Sequence, residues 1–76
     1  GKRNRITDGQ RIELTEEEIE VIGILARGLT NMEIGEALRI RHRYVKTILS
    51  RIYKKFGTSS RSEVVRRAVE LGIVNL

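Results

Sequence analysis

Arg39, Arg41, Arg43, Lys46, Arg51, Lys54, Lys55 and Arg61 stand within twenty-three residues that contain no acid. Guanidinium and ammonium groups at this density, with nothing between them to neutralise their charge, attract polyanions. Thr47, Ser50 and Tyr44 are interleaved with them and add hydroxyls, which hydrogen-bond without adding charge. Nucleophilic and acid–base chemistry find no support. His42 is the single histidine, cysteine is absent and no paired carboxylates stand beside His42. No nucleophile–base or acid–base constellation can be assembled from these parts, so an enzyme is not expected. A metal site lacks its usual thiolate or multiple imidazole ligands, and no cofactor is expected. His42 reads instead as an exposed turn residue.

The acids lie elsewhere. Between Glu13 and Glu36 there are seven of them against one base, Arg27, in a chain whose net charge is +5. Solubility does not require such segregation, whereas a nucleic-acid binder uses it to present one basic face. Charge alone would also suit a membrane surface. No apolar run approaches the roughly 20 residues of a membrane span, and no signal-peptide pattern opens the sequence. The expectation is a cytoplasmic protein with no membrane partner, for which the missing cysteines leave packing alone to hold the fold.

The elements that must carry these side chains are legible from punctuation. With 76 residues there is room for one domain, and a domain of this size buries only about 60% of the surface its unfolded chain exposes. Proline is absent, the aromatics are limited to Tyr44, Tyr53 and Phe56, and hydrophobic residues recur at helical spacing, which predicts an all-α fold. Thr15 with Glu18, Thr30 with Glu33 and Ser60 with Glu63 each spell the capping box, in which hydroxyl and carboxylate satisfy unpaired N–H groups at a helix start. Gly28, Gly57 and Gly72 fall where the apolar runs end, as left-handed residues closing helices do. The expected helices run near 16–27, 31–38, 42–56 and 61–71. Residues 1–13, polar and bearing Lys2, Arg3, Arg5 and Arg11, read as a flexible basic tail or the remnant of a linker. Residues 14–76 form the domain, and the start at Gly1 in place of Met suggests a piece of a longer protein.

The expected interior comprises Glu18, Val21, Ile22, Leu25 and Leu29 from the first helix, and Ile34 and Leu38 from the second. Val45, Ile48, Leu49, Ile52 and Phe56 come from the third, and Val64, Ala68 and Leu71 from the fourth. Glu18 on a buried face demands a partner, from its capping box and from a base on helix three or four. About three residues, Arg39–Arg41, separate helices two and three, the spacing of a helix-turn-helix. At about 100° per residue, Arg43, Thr47, Ser50 and Lys54 project opposite the core stripe of helix three, flanked by Lys46 and Arg51. Tyr44 and Lys55 lie along one edge and His42 and Tyr53 along the other, with Tyr53 expected to pack. A helix entering the major groove needs this pattern: cations for the phosphates on both rims, and donors and small hydroxyls for base edges.

These residues resemble the LuxR/FixJ/GerE-type helix-turn-helix domains of bacterial transcription regulators over roughly 14–76. The similarity rests on "LTEEEIEVIGILARGLTNMEIGEALRI", "VKTILSRIYKKFGTSSRSEVV" and "AVELGIV". It implies a four-helix domain whose third helix reads double-stranded DNA in the major groove while the second braces it. By matching position, Lys46, Thr47 and Ser50 would face bases, and Tyr44, Asn31, Thr30 and Lys55 would lie near phosphates. Arg41, Arg43, Arg51 and Lys54 complete the expected DNA-binding set. The resemblance also implies a homodimer on DNA through the last helix, where Val65 and Val69 remain after the core stripe is assigned, although burial against residues 73–76 would account for them equally. RNA polymerase is a further partner that the regulatory role implies.

Departures cluster at the reading end. Arg41 stands where the family has a Ser or Thr N-cap, and Tyr44 displaces the motif threonine. Arg43 stands where a smaller residue is usual, Ile48 replaces a histidine, and Glu17 replaces an arginine in helix one. Base preference is expected to depart from typical members at Arg41, Arg43 and Tyr44. A different class of function, a helical protein-interaction module using the acidic first helix, is the alternative to DNA binding.

Overall fold

The computed structural model describes residues 4–6 and 12–75. Two short strands, β1 (Asn4–Ile6) and β2 (Glu13–Thr15), precede four helices: α1 (Glu16–Leu25), α2 (Asn31–Leu38), α3 (His42–Phe56) and α4 (Arg61–Glu70). The all-α expectation holds from Glu16 onward. The flexible tail expected over 1–13 is corrected at β1, which pairs antiparallel with β2 in the register Asn4↔Thr15, Arg5↔Leu14 and Ile6↔Glu13. Ile12 and Leu14 explain why the chain is held here, since both are buried in the main core. The other residues of that segment, 1–3 and 7–11, lie outside the described residues.

Helix starts follow the local signals, with one shortfall. Thr15 and Thr30 each accept a hydrogen bond from the N–H three residues on, and Glu18 and Glu33 return the bond to the N-cap N–H. The third box is only half made. Ser60 accepts from the Glu63 N–H, but the Glu63 carboxylate turns to Arg66. An arginine one turn along the helix outcompetes a neutral N–H for a carboxylate, because both partners are charged. Helix α3 begins at Arg41 with no side-chain cap, as its sequence requires.

Helix ends explain the differences in length. Helix α1 closes at Leu25, two residues short of the expected end, because the Arg27 and Gly28 N–H groups bond three residues back and tighten the last turn. Helix α4 ends at Glu70, one residue short. Helix α2 ends without a glycine. Arg39 itself adopts the left-handed conformation, φ 58°, uncommon for a residue with a side chain. The turn is forced from within: the Ile40 N–H bonds back to the Gly35 carbonyl at 2.9 Å. A Cβ on Gly35 would sit 2.9 Å from the Ile40 carbonyl oxygen and 3.4 Å from Val45. The bare glycine lets the three-residue turn fold flat against α2 and brings α3 across it.

One core unites the elements. Val21, Ile22, Leu25, Ile34, Val45, Ile48, Leu49, Ile52, Phe56, Val64 and Ala68 are all buried, as expected, and Ile12 and Leu14 join them. Leu29, Leu38 and Leu71, also expected inside, are half-buried and pack against its margin. Arg67 ties α4 to the end of α3, donating to the Phe56 carbonyl with its guanidinium 5.4 Å from the centre of the Phe56 ring.

Candidate functional site

The core stripe fixes the rotation of α3 about its axis. With Val45, Ile48, Ile52 and Phe56 all 3% exposed or less, the residues between them have only one direction left. Arg43, Lys46, Thr47, Ser50, Arg51 and Lys54 accordingly line one open depression on the outer face. The helical projection selected these same six. The Thr47 hydroxyl donates back to the Arg43 carbonyl at 3.3 Å, which leaves its oxygen lone pairs outward as acceptors. No carboxylate enters this depression.

A second groove adjoins the first and shares Lys46 and Ser50 with it. Asn31, Leu49 and Tyr53 complete its lining, so it runs between the first turn of α2 and the flank of α3. Asn31 thus joins the outward residues of α3, while Thr30 beside it is occupied by its own capping box. Leu49 was assigned to the core alone, yet its remaining exposed edge contributes here. Tyr53 is half-buried against the core, the packing role expected of it. Arg41 is exposed at the head of α3.

Tyr44 and Lys55 are not among the residues of the depression. Both reach sideways to adjacent carboxylates of α1. The Tyr44 hydroxyl donates to Glu17 Oε1 at 2.8 Å, and Lys55 Nζ lies 2.7 Å from Glu18 Oε1. Glu18 is only 1% exposed and also accepts from the Thr15 N–H, so Lys55 is the expected base from helix three that offsets a buried charge. The bond to Glu17 raises the Tyr44 pKa above its ordinary 10.0; burial adds to the rise, and the Arg51 guanidinium nearby opposes it. These partners lie 27 and 37 residues away in sequence, beyond the reach of any local signal. For Lys55 the hint was the buried position of Glu18; for Tyr44 it was Glu17, itself a departure from the family pattern, which here contacts another departure.

On the last helix, Val65 is half-buried and Val69 is 38% exposed. The described residues hold no cluster of three or more metal-ligating side chains. Among them, too, no helix is long and apolar enough to cross a membrane.

A tight three-residue turn between α2 and α3, with basic side chains ranked on the outside of the second helix, is helix-turn-helix geometry. Residues 13–68 match the family model for bacterial regulatory proteins of the luxR family. The chain belongs to that family. It is a LuxR-type DNA-binding helix-turn-helix domain, and the family is one of DNA-binding regulators rather than enzymes.

Its relatives include the transcriptional regulatory protein YdfI of Bacillus subtilis, 39% identical over 64 residues, covering 84% of this chain and 30% of that protein. The response regulator Rre1 of Synechocystis is 36% identical over 63 residues, covering 83% and 27%. The DNA-binding transcriptional activator DevR/DosR of Mycobacterium tuberculosis is 34% identical over 58 residues, covering 76% and 27%. The chain therefore spans less than a third of the length of these relatives. The solved structure of the transcription factor GerE superposes with a TM-score of 0.75 at 29% identity, covering 82% of this chain and 92% of that one.

Proposed function

We propose that residues 14–76 bind double-stranded DNA sequence-specifically, with α3 in the major groove, as the output domain of a transcription regulator working in the bacterial cytoplasm. The observation that carries this reading is the depression on α3. Four cations and two hydroxyls line it, no acid does, and it sits on the second helix of the pair. Lys46, Thr47 and Ser50 meet base edges, whereas Arg43, Arg51 and Lys54 meet phosphates. Asn31 and Thr30 approach the backbone from the start of α2, and Arg41 from the head of α3. No step in this role calls for catalysis. Two such domains pair on DNA through α4, with Val69 and the exposed edge of Val65 at the contact, and their recognition helices stand about one DNA turn apart. RNA polymerase is a partner of the assembled regulator.

Chemical-shift mapping during titration with duplexes selected from a random pool tests the proposal. The expected changes fall on α3 from Arg43 to Lys54 and on Asn31, and a map that misses α3 refutes it. Affinity is expected to fall steeply with salt; with six to ten phosphates contacted, the loss is about 10³–10⁵ between 50 and 200 mM. Sedimentation with and without the selected duplex tests pairing, and one copy per site at saturation removes the dimer. The alternative, a protein-interaction surface on acidic α1, has less support, because Glu17 and Glu18 are turned to α3 and only Glu16 and Glu20 of that helix remain exposed.

A further inference from the structure

Glu17 and Glu18 are neighbours in sequence with opposite surroundings. Glu18 is buried and its charge is offset by Lys55. Glu17 is half-buried, and among the described residues it forms no salt bridge; its bonded side-chain partner is the neutral phenol of Tyr44. The Glu17 carboxylate therefore stands one hydrogen bond away from the first turn of α3, with the Arg51 guanidinium near the same hydroxyl. Tyr44 is 37% exposed and next to Arg43 in the chain, and Arg51 is another residue of the depression.

The direction of the hydrogen bond decides what this edge can do. A tyrosine hydroxyl has one proton to donate, and Tyr44 gives it to Glu17. The outward side of its oxygen is left with lone pairs only. Phosphate oxygens are acceptors as well, so Tyr44 as placed offers them nothing, and the carboxylate behind it repels them. A phosphate contact by Tyr44 would require its hydroxyl to leave Glu17.

We propose that the Glu17–Tyr44 pair is a specificity-determining element that makes the α1-side edge of the reading face repel DNA backbone. A duplex that docks with its phosphates against this edge is disfavoured, and one whose register keeps them away is not. The pair thus lowers affinity for non-cognate DNA more than for the cognate site. This inference rests on the DNA-binding reading of α3.

The test compares binding of the unmodified chain, Glu17→Gln and Tyr44→Phe to random-sequence duplex and to a duplex selected by the unmodified chain, at two salt concentrations. Glutamine keeps an oxygen for the Tyr44 proton and removes only the charge. Removing a like charge that stands behind the Tyr44 hydroxyl weakens the repulsion of phosphates, so Glu17→Gln is expected to bind random duplex about twofold to fivefold more tightly at low salt. The gain shrinks as salt screens the site and is smaller on the selected duplex. Tyr44→Phe leaves the Glu17 charge in place and is expected to show no gain. Circular dichroism confirms that each variant is folded. Unchanged or weaker random binding by Glu17→Gln, or an equal gain by Tyr44→Phe, overturns the inference while leaving DNA binding intact. Failure of the unmodified chain to bind any duplex removes the underlying reading itself.

Discussion

The inner and outer faces of α3 are woven from alternating residues of one fifteen-residue helix, yet they obey opposite rules. Inward, Val45, Ile48, Leu49, Ile52 and Phe56 lose nearly all contact with water. Outward, Arg43, Lys46, Arg51 and Lys54 crowd together with no acid to relieve them. Like charges one turn apart, such as Arg43 with Lys46 and Arg51 with Lys54, destabilise a helix by about 0.2–0.5 kcal/mol each. The missing N-cap at Arg41 costs about 1 kcal/mol more. The outer face is therefore a burden on the helix that the inner face offsets. Each buried aliphatic side chain contributes about 1.5–3 kcal/mol. A surface shaped for a polyanion can be tolerated because the same helix is the centre of the core.

Ile52→Ala would break the comparison most severely. Its side chain is fully buried, and the truncation is expected to cost about 2–5 kcal/mol, read from urea denaturation. A cost below that range would mean that α3 is not the centre of the core. Lys55→Ala separates the edge from the outer face. It leaves Glu18 buried without its cation, and a loss of about 1–3 kcal/mol in stability is expected, moderated by the partial exposure of Lys55. Weaker DNA binding with an unchanged melting temperature would instead restore Lys55 to the phosphate contacts.

Lys46→Ala probes the outer face itself. Its expected signature is reversed: a loss of about 1–3 kcal/mol in binding the selected duplex, with stability nearly unchanged. Equal weakening on all sequences would move Lys46 from bases to phosphates. Arg41→Ser should stabilise the domain by about 0.5–2 kcal/mol by supplying the absent cap, seen as a higher denaturation midpoint. The smallest effect concerns Tyr44. Its raised pKa means that the neutral phenol is favoured in the folded state, so the contribution of its bond to Glu17 is present below the unfolded pKa and is lost as pH rises through the folded one. A phenolate absorbance titration should place Tyr44 above its ordinary range and should return it toward that range in Glu17→Gln.

Two complete capping boxes, the Ser60 N-cap and three helix-ending glycines were readable because each is a contact between residues a few positions apart. Gly28, Gly57 and Gly72 all adopt positive φ for that reason. The six outward residues of α3 were readable because the core stripe and the helical period leave them no other direction. Other features were not. Glu63 left its box for Arg66, a choice between two local partners that propensity does not rank. Arg39 took a left-handed conformation that its own side chain disfavours, because closing the turn on Gly35 required it. The pairing of β1 with β2 is not legible in the sequence, since three-residue strands carry too little pattern to stand apart from a polar segment.

The sequence by itself determined where the helices begin, which stripe of each turns inward and which side of α3 is cationic, since these depend on neighbours within one or two turns. The tertiary structure alone decided what lies beside that cationic face. It set Glu17 against Tyr44 and Glu18 against Lys55 by bringing α1 alongside α3, and so divided two adjacent carboxylates into a buried counter-ion and a charge left at the edge. The capping box and the apolar period already mark Glu18 as the inward acid; the packing of α1 against α3 decides that its cation is Lys55 and that Glu17 meets a phenol.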